Sequence, residues 1–161
     1  MNGSPPYVSP TERVKAWLDG AALHIRFNNP AKHNALSVDM WEAVPPLLAQ
    51  AEADDSVRLV VFSGEGTKSF VSGADISQFD AKRNNAEAAA AYSAIGDAGR
   101  AALSGFPKPL IAMIHGYCLG GGLGIAMMAD LRFAAADSVF GIPAANLGIA
   151  YSAGNLRRLV G

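Results

Sequence analysis

Cysteine is nearly absent from this 161-residue sequence: Cys118 stands alone, so no disulfide can close within the chain. Histidine is scarce too. His24, His33 and His115 show no metal-ligand spacing, and no metal is expected. Neither sign of charge dominates, since 13 Lys and Arg stand against 14 Asp and Glu and the net charge is −1. Runs of adjacent basic residues go no further than a pair, as at Arg157 and Arg158. That excludes a basic nucleic-acid footprint, and no nucleic-acid partner is expected. The glycine run at 120–122 is not followed by Gly-Lys-Ser or Gly-Lys-Thr, which excludes a P-loop. Gly-Gly-Gly-Leu-Gly does not match G-x-G-x-x-G either, which argues against a dinucleotide loop.

Charge disappears altogether from Pro109 to Ala129, a stretch long enough for a bilayer span. His115 and several glycines sit in its middle, and a β-like run gives way to a helical one. A buried strand followed by a buried helix is the expectation, and no membrane partner. The opening MNGSPPYVSP has neither the apolar core nor the cleavage pattern of a secretory signal. Residues 1–12 read as a flexible leader. The expected location is cytoplasmic, a reducing compartment that a single cysteine fits. What the chain does have is a globular composition, 50% apolar and 17% charged. One core domain is expected over residues 13–161.

Val14–Leu18 and Ala22–Phe27 alternate apolar and polar around Asp19-Gly20, a hairpin signal. After the polar loop NNPAKHNALS, Ser37 is a natural N-cap for a helix over Val38–Ala53, which Pro45 and Pro46 should kink or interrupt. Val57–Phe62 and Leu110–Ile114 read as buried strands. Each is followed by a glycine-rich loop and a helix, the helices falling on Ala86–Leu103 and Leu123–Ala129. Short strands at Leu131–Ala134 and Val139–Ile142 and a helix over Tyr151–Val160 complete an α/β pattern. The loops at Ser72–Asp75 and Gly120–Gly122 follow comparable strands, so they are expected side by side at one sheet edge, where α/β proteins bind ligands.

Three glycines entering a helix expose unpaired N–H groups at the positive end of its dipole. Such an end binds an anion or stabilises one as it forms. A second N–H from Ser72-Gly73-Ala74 would converge with it on one oxygen, making an oxyanion hole. The competing explanation is close helix–strand packing, where glycine only avoids a clash. The run alone does not separate the two.

Four segments then carry a resemblance, in a single order: NNPAKHNALS at 28–37, FVSGADISQF at 70–79, IHGYCLGGGLGIAMMADLRFAA at 114–135 and FGIPAANLGI at 140–149. With their spacing they cover nearly the whole chain after the leader, and they resemble the enoyl-CoA hydratase/isomerase, or crotonase, superfamily. The resemblance implies a crotonase-like spiral of ββα repeats, an acyl-CoA thioester as substrate or ligand with no other cofactor, and assembly as a homotrimer or hexamer. It implies that the thioester oxygen accepts two N–H bonds, from Ala74 and Gly121. Lys32, His33 and Ala35 match the loop that lies along CoA. Ser72, Asp75 and Ile76 match residues around adenine and pantetheine, and Gly120 is grouped with these binding positions.

Two departures stand beside the match. Hydratases of the family carry one glutamate two residues after the last glycine of the run, here Gly124, and another just after the proline of F-G-x-P, here Ala144. Those carboxylates activate water, and general acid–base groups contribute roughly 10²- to 10⁴-fold each. Family members also continue into C-terminal helices beyond the length of this chain, so that helical part is expected to be missing here.

Asp75 is a candidate base, or the cap of a short helix beginning at Ile76. His115 reads as a hydrogen-bonded structural residue. Tyr117 and Tyr151 are candidate proton donors, or else core or rim residues. Asp130 reads as an anchor for backbone or for Arg132, and Cys118 as a small buried side chain. The expected function is that of an acyl-CoA-binding protein that stabilises a thioester enolate, nominally a lyase or isomerase, with standard hydratase chemistry in doubt. The alternatives are a non-catalytic acyl-CoA-binding paralogue and a decarboxylase-type activity, in which loss of CO₂ generates the enolate without a base.

Overall fold

The computed structural model describes residues 7–78, 86–148 and 153–160. Strands β1 (Val14–Asp19) and β2 (Ala22–Phe27) form the expected antiparallel hairpin. Asp19 pairs with Ala22, so the two-residue turn is Gly20-Ala21, one position later than the sequence suggested. Gly20 takes φ +58, as the first turn position of a II′-type hairpin demands. Helix α1 then runs over Val38–Ala53 without interruption. The expected break at Pro45 and Pro46 does not occur. Met40, Val44, Leu47, Leu48 and Ala51 bury one face of α1, while Pro46 is exposed on the other, where the freed carbonyl can reach water. Ser37 does not cap α1 through its side chain; its hydroxyl donates to Asp39 instead.

The rest of the chain repeats one unit. Strands β3 (Leu59–Gly64) and β4 (Ser69–Val71) precede helix α2 (Ala86–Gly105). Strands β5 (Leu110–Ile114) and β6 (Tyr117–Leu119) precede helix α3 (Gly121–Met128). Strands β7 (Leu131–Ala134) and β8 (Val139–Gly141) precede helix α4 (Ala153–Val160). Each unit adds one strand to each of two sheets. The larger has the order β1-β2-β3-β5-β7, parallel from β2 onward; the smaller is all parallel, β4-β6-β8. This is the expected spiral of ββα units. The charge-free stretch that could have spanned a bilayer is divided among β5, β6 and α3, and no helix among the described residues is long and apolar enough to cross a membrane.

The core lies between the two sheets and beneath α1. Phe27 and Phe62 of the larger sheet stack at 5.9 Å, and Phe70 of the smaller meets Phe27 edge-on at 6.3 Å. All three are fully buried, each contributing about 2–3 kcal/mol of apolar transfer. Helices α1 and α2 approach so closely that a Cβ on Gly99 would sit 2.5 Å from the Trp41 ring. Of the residues read as a flexible leader, 7–12 are tied down: the Tyr7 hydroxyl donates to Asp54 at 2.6 Å and that of Thr11 to Asp39 at 2.6 Å. Residues 1–6 lie outside the described residues.

Candidate functional site

Parallel order puts the C-terminal ends of β4, β6 and β8 at one edge of the smaller sheet. The segments leaving those ends, with Ser72–Ser77, Gly120–Gly121, Ile142–Ala144 and Asn146, together with Lys32 and Ala35, line a cavity of about 540 Å³. The two glycine loops therefore do lie side by side. They follow β4 and β6 of the smaller sheet, however, and not the buried strands that the sequence singled out.

Main-chain bonds stitch these loops together. Leu36 donates to the Gly73 carbonyl and accepts from the Asp75 amide, both at 2.8 Å. Ser72 donates to the His33 carbonyl, and Gly120 to that of Gly141 at 2.9 Å. With Gly73 and Asp75 turned toward Leu36, the alternation of the backbone turns the Ala74 N–H the opposite way. That N–H has no partner among the described residues, and neither has the N–H of Gly121, the first residue of α3. The two are neighbours: a Cβ on Gly121 would lie 4.0 Å from the Ala74 nitrogen.

The three glycines of the run have three different reasons. Gly120 takes φ +50 and ψ −111, a conformation side chains rarely adopt. Gly122 is a packing glycine, because a Cβ there would sit 2.2 Å from the Val71 carbonyl oxygen. Gly121 lines the cavity, where the nearest neighbour of a Cβ would be the Leu36 methyl at 3.4 Å, an ordinary contact. Gly122→Ala is accordingly expected to cost about 3 kcal/mol of stability. A urea midpoint unchanged by that substitution would contradict the packing role.

At the cavity mouth the Lys32 ammonium donates to both Asp75 oxygens, at 3.2 and 2.8 Å, and to the Ser77 hydroxyl at 2.7 Å. Asp75 also accepts from the Ser77 amide at 3.2 Å and from its hydroxyl at 2.6 Å, capping the short helix Ile76–Gln78. Burial raises the Asp75 pKa, but the Lys32 and Ser77 hydrogen bonds outweigh it and hold the carboxyl below its usual value. A carboxylate so satisfied is a weak base, and the cap is the role its geometry supports. Its stabilising effect is present above the ordinary carboxylate range and is lost as pH falls through the depressed folded value. The stability gap between the protein and Asp75→Asn should therefore narrow on acidification from pH 7 toward pH 3, as checked by chemical denaturation at each pH.

Of the other binding positions read from the sequence, Lys32, Ala35, Ser72, Asp75, Ile76 and Gly120 all line the cavity. His33 does not. It faces a separate cavity of about 240 Å³ beside Glu65 and Lys68, its Nδ1 lies 3.1 Å from the Ser69 hydroxyl, and its ring meets Tyr117 edge-on. The His33 contribution to the site is its carbonyl. Next to it Asn34, fully buried at φ +55, donates to the Glu65 and Ser69 carbonyls and accepts from the Asn29 amide, which fixes the loop carrying Lys32 and Ala35.

Ala144 lines the cavity, whereas Gly124 is buried within α3 and does not. Tyr117 is exposed and outside the lining. Tyr151 lies outside the described residues. Asp130 anchors backbone, accepting from the Leu110 amide at 2.7 Å, while Arg132 donates to the Ala126 and Ala129 carbonyls. The His115 carbonyl accepts from Phe70, but its buried Nε2 has no partner among the described residues, which corrects the expectation of a hydrogen-bonded ring. Cys118 is fully buried, and burial pushes its thiol up to about 12. No cluster of metal-ligating side chains occurs among the described residues. Sequence reasoning missed Ser77, Ile142, Pro143 and Asn146 as lining residues. The signal for three of them was available, since the F-G-x-P segment had been read only for its absent glutamate.

Known proteins share this fold. The chain is 36% identical over 141 residues to a short-chain-enoyl-CoA hydratase of Clostridium acetobutylicum, covering 88% of this chain and 53% of that protein. It is 30% identical over 165 residues to a peroxisomal Delta(3,5)-Delta(2,4)-dienoyl-CoA isomerase of Arabidopsis thaliana, covering 92% of this chain and 56% of that one. The crystal structure of an enoyl-CoA hydratase/carnithine racemase from Magnetospirillum magneticum superposes with a TM-score of 0.88 at 33% identity, over 95% of this chain and 57% of that one. The chain thus spans about half the length of the relatives it matches. The enoyl-CoA hydratase/isomerase family model matches residues 19–161, and the chain belongs to that family.

Proposed function

We propose that this chain binds an acyl-CoA thioester in the 540 Å³ cavity and stabilises its enolate, the thioester oxygen accepting from the Ala74 and Gly121 amides. The observation that carries this reading is the pair of unpartnered N–H groups, held on adjacent loops beside an apolar cavity. Donors already fixed where charge develops need no reorganisation, and each is worth roughly 10²- to 10³-fold in rate. Lys32, Ala35, Ser72, Asp75, Ile76 and Gly120 line the path for the rest of the ligand. The family relation supports the same ligand class.

Hydration in the ordinary manner is not part of this reading. Neither Gly124 nor Ala144 can move a proton, and the Asp75 carboxylate is engaged by Lys32 and Ser77. The chain acts as a lyase- or isomerase-type protein of its family with the water-activating step impaired, or as a binding paralogue. Calorimetry with butyryl-CoA, followed by a turnover assay with crotonyl-CoA, tests this. Saturable binding with hydration far below that of a two-carboxylate hydratase is expected. Absence of butyryl-CoA binding would overturn the reading.

Assembly as a homotrimer or hexamer belongs to the same proposal. Supporting it, Met113 of β5 and Leu131 and Phe133 of the adjoining edge strand β7 are each about half exposed on neighbouring strands. Sedimentation velocity should report a species larger than one chain; a single 16.7 kDa species at micromolar concentration would count against assembly.

A further inference from the structure

The cavity offers donors for an enolate and no free base to make one. Among its described lining residues the groups that titrate are Lys32 and Asp75, and these are bonded to each other. An unactivated acyl thioester would keep its α-proton in such a site. An acyl group with a second carbonyl at the β-carbon would not, because its carbanion is shared between two oxygens and forms near neutral pH by loss of the proton to water or buffer.

An anion of that kind needs donors at both oxygens, and the third loop supplies one. Asn146 alone among the described lining residues carries a side-chain amide. It lies two residues beyond Ala144 in the short helix Pro143–Leu147, on the segment facing the Ala74 and Gly121 loops. Its amide has no hydrogen-bond partner among the described residues, and its NH₂ can donate twice. The polar side chains of the opposite wall are already engaged: Ser77 with Asp75, Ser72 with the Lys32 carbonyl, Lys32 with Asp75.

Resting on the acyl-thioester reading above, we propose that the cavity selects β-oxoacyl thioesters and holds them as enolates, the thioester oxygen on the Ala74 and Gly121 amides and the β-oxygen on the Asn146 amide. In the step itself the α C–H bond breaks, its electron pair delocalises over the two oxygens, and the proton passes to a solvent water or a buffer base. Nothing is oxidised or reduced. A β-carboxyl group fits less well, because the cation near the cavity, Lys32, is already paired.

The test titrates the protein with acetoacetyl-CoA and follows the near-ultraviolet enolate band against pH, with butyryl-CoA, which lacks the β-oxygen, as the comparison ligand. The bound ester should enolise at a pH about one unit lower than the free ester, a tenfold gain in enolate at fixed pH. Asn146→Leu should remove most of that gain. Asn146→Asp, which places an anion beside the β-oxygen, should remove it too, and gives a second variant at this exposed position. No downward shift in the native protein, or a shift that survives both substitutions, overturns the inference. Butyryl-CoA binding without an acetoacetyl-CoA shift defeats this inference alone, whereas failure of both esters to bind defeats the acyl-thioester reading beneath it.

Discussion

Ala144→Glu is expected to raise crotonyl-CoA hydration about 10²- to 10⁴-fold over the native chain. Ala144 follows Pro143 at the start of a short helix, is 9% exposed, and lines the same cavity as Ala74 and Gly121. A carboxylate grown from that Cβ enters a largely apolar space without displacing a hydrogen-bonded group. Low local dielectric raises the pKa of such a carboxyl toward the range useful for proton transfer. Loss of the conjugated-thioester absorbance provides the assay. A rate that stays at background while butyryl-CoA still binds would mean that Ala144 does not face the β-carbon.

Gly121→Pro should remove about 10²- to 10³-fold of whatever rate the site achieves, best measured in the Ala144→Glu background. Proline suits this position because the first helical residue needs no intrahelical N–H, and its fixed φ matches a helix entrance. The substitution thus deletes the amide while leaving α3 able to form. Gly121→Ala is the informative partner: it keeps the N–H, and the nearest neighbour of its Cβ is a Leu36 methyl at 3.4 Å. If Ala and Pro reduce the rate equally, the lost group was space and not a donor. Gly122→Ala, by contrast, should act through stability, since its obstacle is the Val71 backbone. Neighbouring glycines then separate into one that serves the ligand and one that serves the packing.

Where periodicity was long, the sequence was legible. The hairpin, α1, β5, β7 and the length of α2 follow from alternation, from three-to-four spacing and from the bounding turns. The smaller sheet was not legible. Its strands Ser69–Val71, Tyr117–Leu119 and Val139–Gly141 hold three residues each, too few for a period of two to emerge, and only the last had been read as a strand. Missing that sheet attached the glycine loops to the wrong strands, although their adjacency was inferred correctly. Proline misled in α1, where tertiary burial outweighed a local preference. For the site, residue type indicated chemistry but not direction. His33 and Lys32 are adjacent in sequence, and the left-handed His33 backbone sends their side chains to different cavities.

Adding one strand per unit to both sheets makes the architecture effectively one-dimensional. Every unit is laid on a template finished just before it, β3 on β2, then β5 on β3, then β7 on β5. Assembly of this kind can proceed in step with synthesis on the ribosome, because from β2 onward every strand of the larger sheet finds a partner already made. The ligand cavity has the opposite character: its walls come from the β4, β6 and β8 ends, so it exists only after the third unit has docked.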